Sequence, residues 1–175
     1  MNAYRRQKAA GGTFFFTLAL ADRSSTLLLD EMPLFKQAYR SVWAKRPFDT
    51  VALCVLPDHL HAVWTLPQDD DDYATRWRLI KNQFARGCPP IPIRASLAQK
   101  GEKGIWQRRY WEHQIRDERD LNQHIDYIHY SPVKHGHVAR VQDWPFSSFH
   151  RYVARGVLPI NWGGEGDEDG RLFGE

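Results

Sequence analysis

The stretch "LPDHLHAVWTLP", residues 56–67, decides how this chain is read. Ala62, Val63, Trp64 and Leu66 have the composition of a buried strand, yet the run opens on two histidines one residue apart, His59 and His61. Side chains two apart on a strand share a face, so the two imidazoles project side by side, roughly 7 Å apart along the backbone. Burying two imidazoles costs free energy that some partner must offset. A divalent metal held by both rings meets that need. So does a pair in which one ring caps the turn after Pro57 and the other is hydrogen-bonded in the core. An isolated H-x-H does not choose between them, because so short a pattern recurs by chance.

Working outward, "FDTVALCVLP" (48–57) reads as a strand joined to this one by a short connection, which predicts an antiparallel pair. "GTFFFTLALAD" (12–22), aromatic and bounded by glycines and a turn signal, reads as a buried first strand. Between them "DEMPLFKQAYRSVWAKR" places Leu34, Ala38 and Val42 at helical spacing, with Asp30 as N-cap and Pro47 as the stop. A second helix, "YATRWRLIKNQFAR", follows an aspartate run and carries Trp77, Ile80 and Phe84 on one side. "GCPPIPIRASLAQKGEKG" reads as a loop, and "IWQRRYWEH" as a short aromatic strand or hairpin with two arginines at its tip. A third helix, "DERDLNQHIDYIHYSP", has Asp117 as N-cap, Pro132 as its stop and Leu121, Ile125 and Ile128 as its apolar stripe. Helices alternating with antiparallel strands in this order predict an α+β domain of ferredoxin-like βαββαβ plan over residues 1–162, with 163–175 an acidic, disordered tail.

At 175 residues and 42% hydrophobic content the chain can build one ordinary core. The net charge is +3, but the acid is concentrated in Asp69–Asp72 and the C-terminal tail, so the remaining body is distinctly basic and suits a polyanionic partner. Cys54 and Cys88 have no paired spacing, which argues for a reducing compartment and for Cys54 as plain core. No apolar stretch approaches membrane-spanning length, and the expected location is the cytoplasm, at the nucleoid.

On the third helix Tyr127 lies off the apolar stripe, grouped with Gln123, His124 and Ser131. Such a tyrosine is either a surface residue or a nucleophile aimed into a cleft. A phenol titrates near ~10 and is a poor base at neutral pH, but its oxygen can attack a phosphodiester whose charge a metal neutralises. The histidine pair and the helical tyrosine then form one mechanism in two parts.

At this point a resemblance is evident. "LPDHLHAVWTLP", "RWRLIKNQF", "IWQRRYWEHQIRDERD", "HIDYIHYSPVKHG" and "DWPFSSFHRYVARG", in this order, closely resemble the transposases associated with repetitive extragenic palindromes (REP), relatives of the single-tyrosine HUH transposases. The resemblance implies the HUH endonuclease type of fold and a metal-dependent nuclease and strand transferase acting on single-stranded DNA that folds into hairpins. It implies His59 and His61 as Mg²⁺ or Mn²⁺ ligands and Tyr127 as the nucleophile that forms a 5′-phosphotyrosine. Relatives commonly carry Asn where this chain has Ser131, so the third ligand is open between Ser131, Gln123 and water.

DNA contacts are expected from Arg108 and Arg109, which sit among Trp106, Tyr110 and Trp111 and combine charge with stacking faces. Arg76, Arg78 and Lys81, Arg5 and Arg6, and Lys134 with its neighbours His135 and His137 are further phosphate-contact candidates. His113 either hydrogen-bonds a metal ligand or is a surface residue. One chain carries both halves of the proposed site, so a monomer is expected. The competing functions are a binding protein that recognises palindromic repeats without cutting them, and a hydrolase using activated water, which needs no tyrosine.

Overall fold

The computed structural model describes residues 8–91 and 103–163. Its frame is a four-stranded sheet formed by β1 (Thr13–Ala19), β2 (Asp49–Val55), β3 (His59–Thr65) and β4 (Trp111–Gln114), in the order β2-β3-β1-β4 with every neighbouring pair antiparallel. The short helix α1 (Leu27–Asp30) and α2 (Met32–Lys45) connect β1 to β2, and α3 (Tyr73–Gly87) connects β3 to β4. That is the expected ferredoxin-like βαββαβ arrangement in an α+β chain. A further helix, α4 (Glu118–Lys134), then crosses the other face, and α5 (Phe149–Ala154) follows a 3₁₀ turn at Val141–Asp143.

Because helices cover both faces, β1 and β3 are buried along almost their whole length, and their sequences lack the polar alternation of a half-exposed strand. Phe14, Phe16, Leu60, Ala62 and Trp64 face α2 and α3, where Trp64 stacks on Trp77 with ring centroids 3.9 Å apart. Phe15, Ala52, Cys54 and Val63 face α4. Cys54 is core, as expected. No helix among the described residues is long and apolar enough to cross a membrane.

Two helix boundaries differ from the expectation. Asp30 does not cap α2: it closes α1, and its carboxylate accepts from the Thr26 hydroxyl. Pro132 does not stop α4, which continues to Lys134. The cost of the missing proline N–H is confined to the last turn, and the helix ends instead in a Schellman motif, His137 N donating to Pro132 O and Gly136 N to Val133 O. Gly136 sits at φ +72°, a conformation that L side chains rarely adopt.

Arg76 also departs from the expectation. It is 1% exposed, and its guanidinium donates to Asp70 through two nitrogens, to Asp72 O, to Arg46 O and to Pro47 O. All of its N–H donors are used within the protein, so none is left for a phosphate. Arg76 ties the start of α3 to the α2–β2 connection and holds the Asp70 carboxyl below the usual carboxylate range.

The outer edge of β2 is covered by the chain that leads into α5. Val55 N donates to Phe146 O, Ser148 N to Leu53 O, and Arg151 and the Tyr152 hydroxyl to Val51 O. These bonds occupy backbone groups that an edge strand otherwise exposes. His129, buried on α4, joins this seam through Nε2 at 2.9 Å from Ser148 Oγ. Burial, with Arg151 and His150 nearby, pushes its pKa down to about 3.

Two predictions follow from this packing. Replacing Arg76 by Ala leaves a carboxylate and three carbonyls without their donor and lowers stability by about 3–5 kcal/mol, read from the denaturant midpoint. Lys at that position does not rescue it, because it cannot reproduce the fork. His129 stays neutral in the folded state down to about pH 3 but titrates near 6.5 when unfolded. The unfolded chain therefore binds more protons in that window, and stability falls as pH drops from about 6.5 towards 3, by on the order of a few kcal/mol. Urea midpoints at pH 4 and 7 measure this, and His129→Leu flattens the difference.

Candidate active site

The site is built on the α4 side of β3. Antiparallel register places Thr17 of β1 opposite His61, and both His59 and His61 turn toward α4 with Val63. Both rings are buried, with centroids 5.0 Å apart. Each Nδ1 is engaged: that of His59 lies 2.7 Å from Asp58 Oδ1, and that of His61 lies 2.8 Å from Thr17 Oγ1. Burial alone would raise the Asp58 carboxyl, but the bonds from His59 and Arg23 outweigh it and hold the pKa at about 2. An ionised acceptor on Nδ1 fixes the His59 tautomer and leaves Nε2 as its lone-pair nitrogen.

A third imidazole joins them. His135, the C-cap of α4, stacks edge-on to His59 at 4.9 Å, and ring nitrogens, one each from His59, His61 and His135, lie within 4.8 Å of one another. The Schellman motif at Gly136 positions this ring. Two imidazoles with engaged Nδ1 atoms and a third within reach fit one divalent ion. Nitrogen donors suit a transition ion better than Mg²⁺, which prefers oxygen ligands and keeps its waters.

Tyr127 is 5% exposed and lies against the sheet, its ring 5.2 Å from that of His61 and 6.3 Å from that of Phe15. The helix buries a wider arc than the apolar stripe predicts, with Asp120, His124, Tyr127 and Ser131 inside it. Lys134 donates to the phenol oxygen at 3.3 Å, and its ammonium lies 4.7 Å from the ring centroid. The tyrosine, the lysine and the third histidine thus come from the last two turns of α4 and its cap.

The two expected third ligands fall elsewhere. Ser131 is buried, but its hydroxyl donates to Tyr127 O at 2.9 Å, so it is turned to its own helix. Gln123 is solvent-exposed. His135, assigned from sequence to phosphate contact, lies beside the two strand histidines instead. The signal that finds it is Gly136: read as C′, it extends the helix past Pro132 and places His135 two turns beyond Tyr127.

A second cluster, His113, Asp120 and His124, adjoins the site through Phe15. Here His113 Nε2 donates to Asp120 Oδ2 at 2.8 Å, the Arg116 backbone and side chain donate to the same oxygen, and His124 Nδ1 donates to Asp120 O. Burial would raise the Asp120 pKa, but the His113 bond, the Arg116 amide and the neighbouring charges outweigh it and leave the carboxyl ionised below its usual range. The His113 and His124 rings are stacked at 4.8 Å with planes 12° apart, so their in-plane lone pairs do not converge on one ion. This cluster clamps the first turns of α4 onto β4.

The expected DNA-contact residues divide by location. Arg108 and Arg109 are exposed on an arch at the β1 edge, immediately before β4. Arg78 is exposed on α3, on the opposite face of the sheet from the histidines. Lys81 donates to Gln107 O at 2.7 Å and lies over Trp106 and Tyr110. Trp106 is partly buried against Phe84, 5.5 Å ring to ring, and packs rather than presenting a face. Arg5, Arg6 and the acidic tail from 164 onward lie outside the described residues.

No protein-family model matches the chain. A Haemophilus influenzae protein assigned by name to the REP-associated tyrosine transposases is 48% identical over 169 residues, spanning 95% of this chain and 96% of that one. The REP-associated tyrosine transposase of Escherichia coli K12 is 48% identical over 165 residues, spanning 94% and 93%. The solved structure of a REP-associated tyrosine transposase bound to a REP hairpin superposes with a TM-score of 0.85 at 47% identity, covering 100% of this chain and 98% of that one. With such identity over nearly the whole length, and with the same HUH-type fold, this chain belongs to the REP-associated tyrosine transposases.

Proposed function

We propose that the chain is a metal-dependent single-stranded DNA endonuclease and strand transferase acting on REP-type hairpins, with Tyr127 as the nucleophile. The observation that carries this reading is the buried phenol, held against His61 at 5.2 Å with the Lys134 ammonium 3.3 Å from its oxygen. A tyrosine that served only packing would not need a cation at its hydroxyl. The solved relative bound to a REP hairpin supports the substrate class.

His59, His61 and His135 would hold the divalent ion, Mn²⁺ fitting their nitrogens better than Mg²⁺. Bound there, the ion supplies charge neutralisation at the scissile phosphate. Tyr127 Oη attacks phosphorus and the bond from phosphorus to the 3′ oxygen breaks. The 5′ end stays on the tyrosine as a phosphodiester, and the proton lost from the phenol is balanced by the one gained by the departing 3′-hydroxyl. Lys134 stabilises the negative charge that the phenol oxygen carries as it loses its proton, before that charge passes into the new bond to phosphorus. Attack by another 3′-hydroxyl on the phosphotyrosine rejoins strands with no nucleotide cofactor. Every residue invoked lies in one chain, so a monomer suffices.

A denaturing gel with labelled single-stranded REP hairpin tests the reading. Wild type gives a covalent band with Mn²⁺ and none with EDTA, and Tyr127→Phe gives none under either condition. Cleavage that persists in Tyr127→Phe would mean attack by water, and tight binding with no adduct would mean a binding protein. Lys134→Ala slows adduct formation by about 100-fold while changing hairpin affinity much less. Asp58→Ala, which frees the His59 ring, raises the Mn²⁺ concentration needed for half-maximal cleavage by about 10–100-fold, and His135→Ala raises it further.

A further inference from the structure

The geometry points to a nucleobase subsite on the exposed indole of Trp111, beside the proposed catalytic pocket. The β4–β1 register places Trp111 opposite Thr17, and the β1–β3 register places Thr17 opposite His61. The three residues form one cross-strand row, so their side chains share the α4 face of the sheet. His113, two residues further along β4, faces the same way and bonds to Asp120 of α4. At about 4.8 Å per strand, the Trp111 backbone lies roughly 10 Å from that of His61. The row continues directly into the site, because Thr17 Oγ1 is 2.8 Å from His61 Nδ1.

Trp111 is 44% exposed and belongs to neither core. A large apolar side chain on an edge strand is a liability unless something covers it. Its surroundings indicate which chemistry does. Gln107 N donates to Ala19 O and Trp106 bridges to Leu20, while pairing resumes only at Trp111, so the chain at 108–110 arches out from the sheet edge. Arg108 and Arg109 on that arch are exposed. Lys134 adds a third cation at the Tyr127 hydroxyl. An exposed aromatic side chain with exposed arginines two and three residues before it is the combination that takes an unpaired base and its phosphate. The other exposed tryptophan, Trp43, lies on α2, on the far side of the sheet, where its indole N–H donates to Phe48 O. Of the three stacking faces expected at Trp106, Tyr110 and Trp111, the first two pack against the core and Trp111 is the exposed one. Stacking there would hold an unpaired nucleotide next to the phosphate that Tyr127 attacks, and the inference rests on the proposed reading for that last step alone.

The test reads affinity and not cleavage, so it is independent of whether an adduct forms. A labelled REP hairpin with unpaired flanks is titrated, in EDTA, against wild type, Trp111→Ala and Trp111→Phe, and the unpaired nucleotides are replaced one at a time by abasic sites. Wild type should lose about 10- to 100-fold in affinity at one abasic position. Trp111→Ala should lose a similar factor with the intact hairpin and show no further loss at that same position, while Trp111→Phe keeps most of the affinity. Unchanged thermal midpoints for both variants exclude misfolding. The inference is overturned if Trp111→Ala binds the intact hairpin as wild type does, or if its loss is the same at every abasic position. It is overturned equally if wild type sediments as a dimer that Trp111→Ala dissociates, since a second copy would then be what covers the indole.

Discussion

The register of β3 between β1 and β2 is the constraint on which the site depends. A one-residue slip would turn His59 and His61 toward α2 and α3 and bring Leu60 and Ala62 under α4. Apolar burial on both faces holds the register. Trp64 is locked against Trp77 and Phe16 on one side, and Phe15 and Val63 sit under Ile125 and Ile128 on the other. The histidines occupy positions that the rest of the strand fixes.

The second constraint is the path of α4. Its first turns are clamped to β4 by the His113–Asp120–His124 cluster, and its last turn is closed by the Schellman motif at Gly136. Between these fixed ends the helix buries an unusual share of polar groups: Asp120, His124, Tyr127, His129 and Ser131. Asp120, His129 and Ser131 have hydrogen-bond partners at 2.8–2.9 Å, which offsets the cost of burying them. The result is a fixed element that presents Tyr127, Lys134 and His135 to the β3 histidines, the rigid placement that the proposed chemistry requires.

Much of this was legible in the sequence. The aromatic first strand, the antiparallel pair around residues 56–58, the aspartate run before α3 and the Asp117 cap pointed to the βαββαβ order, and H-x-H spacing put both imidazoles on one face. Three features were not, each for a physical reason. Tyr127 read as lying on a polar face because an apolar stripe marks only the hydrophobic part of a buried arc, and this helix also buries polar residues. His135 was hidden by Pro132, whose helix-breaking tendency is weak when only one turn follows. Arg76 read as a phosphate contact because a charged residue on a helix gives no sign of the three carbonyls that close around it, all of them at or beyond helix ends.

The proposed chemistry needs three imidazoles, from β3 and the end of α4, to hold one metal ion beside Tyr127. A crystal grown with Mn²⁺ and measured for anomalous scattering tests it most directly. We expect a single strong peak about 2.0–2.2 Å from nitrogens of His59, His61 and His135, with Tyr127 adjacent. A peak at His113, Asp120 and His124 instead, or one bound by His59 and His61 with His135 turned away, would contradict it.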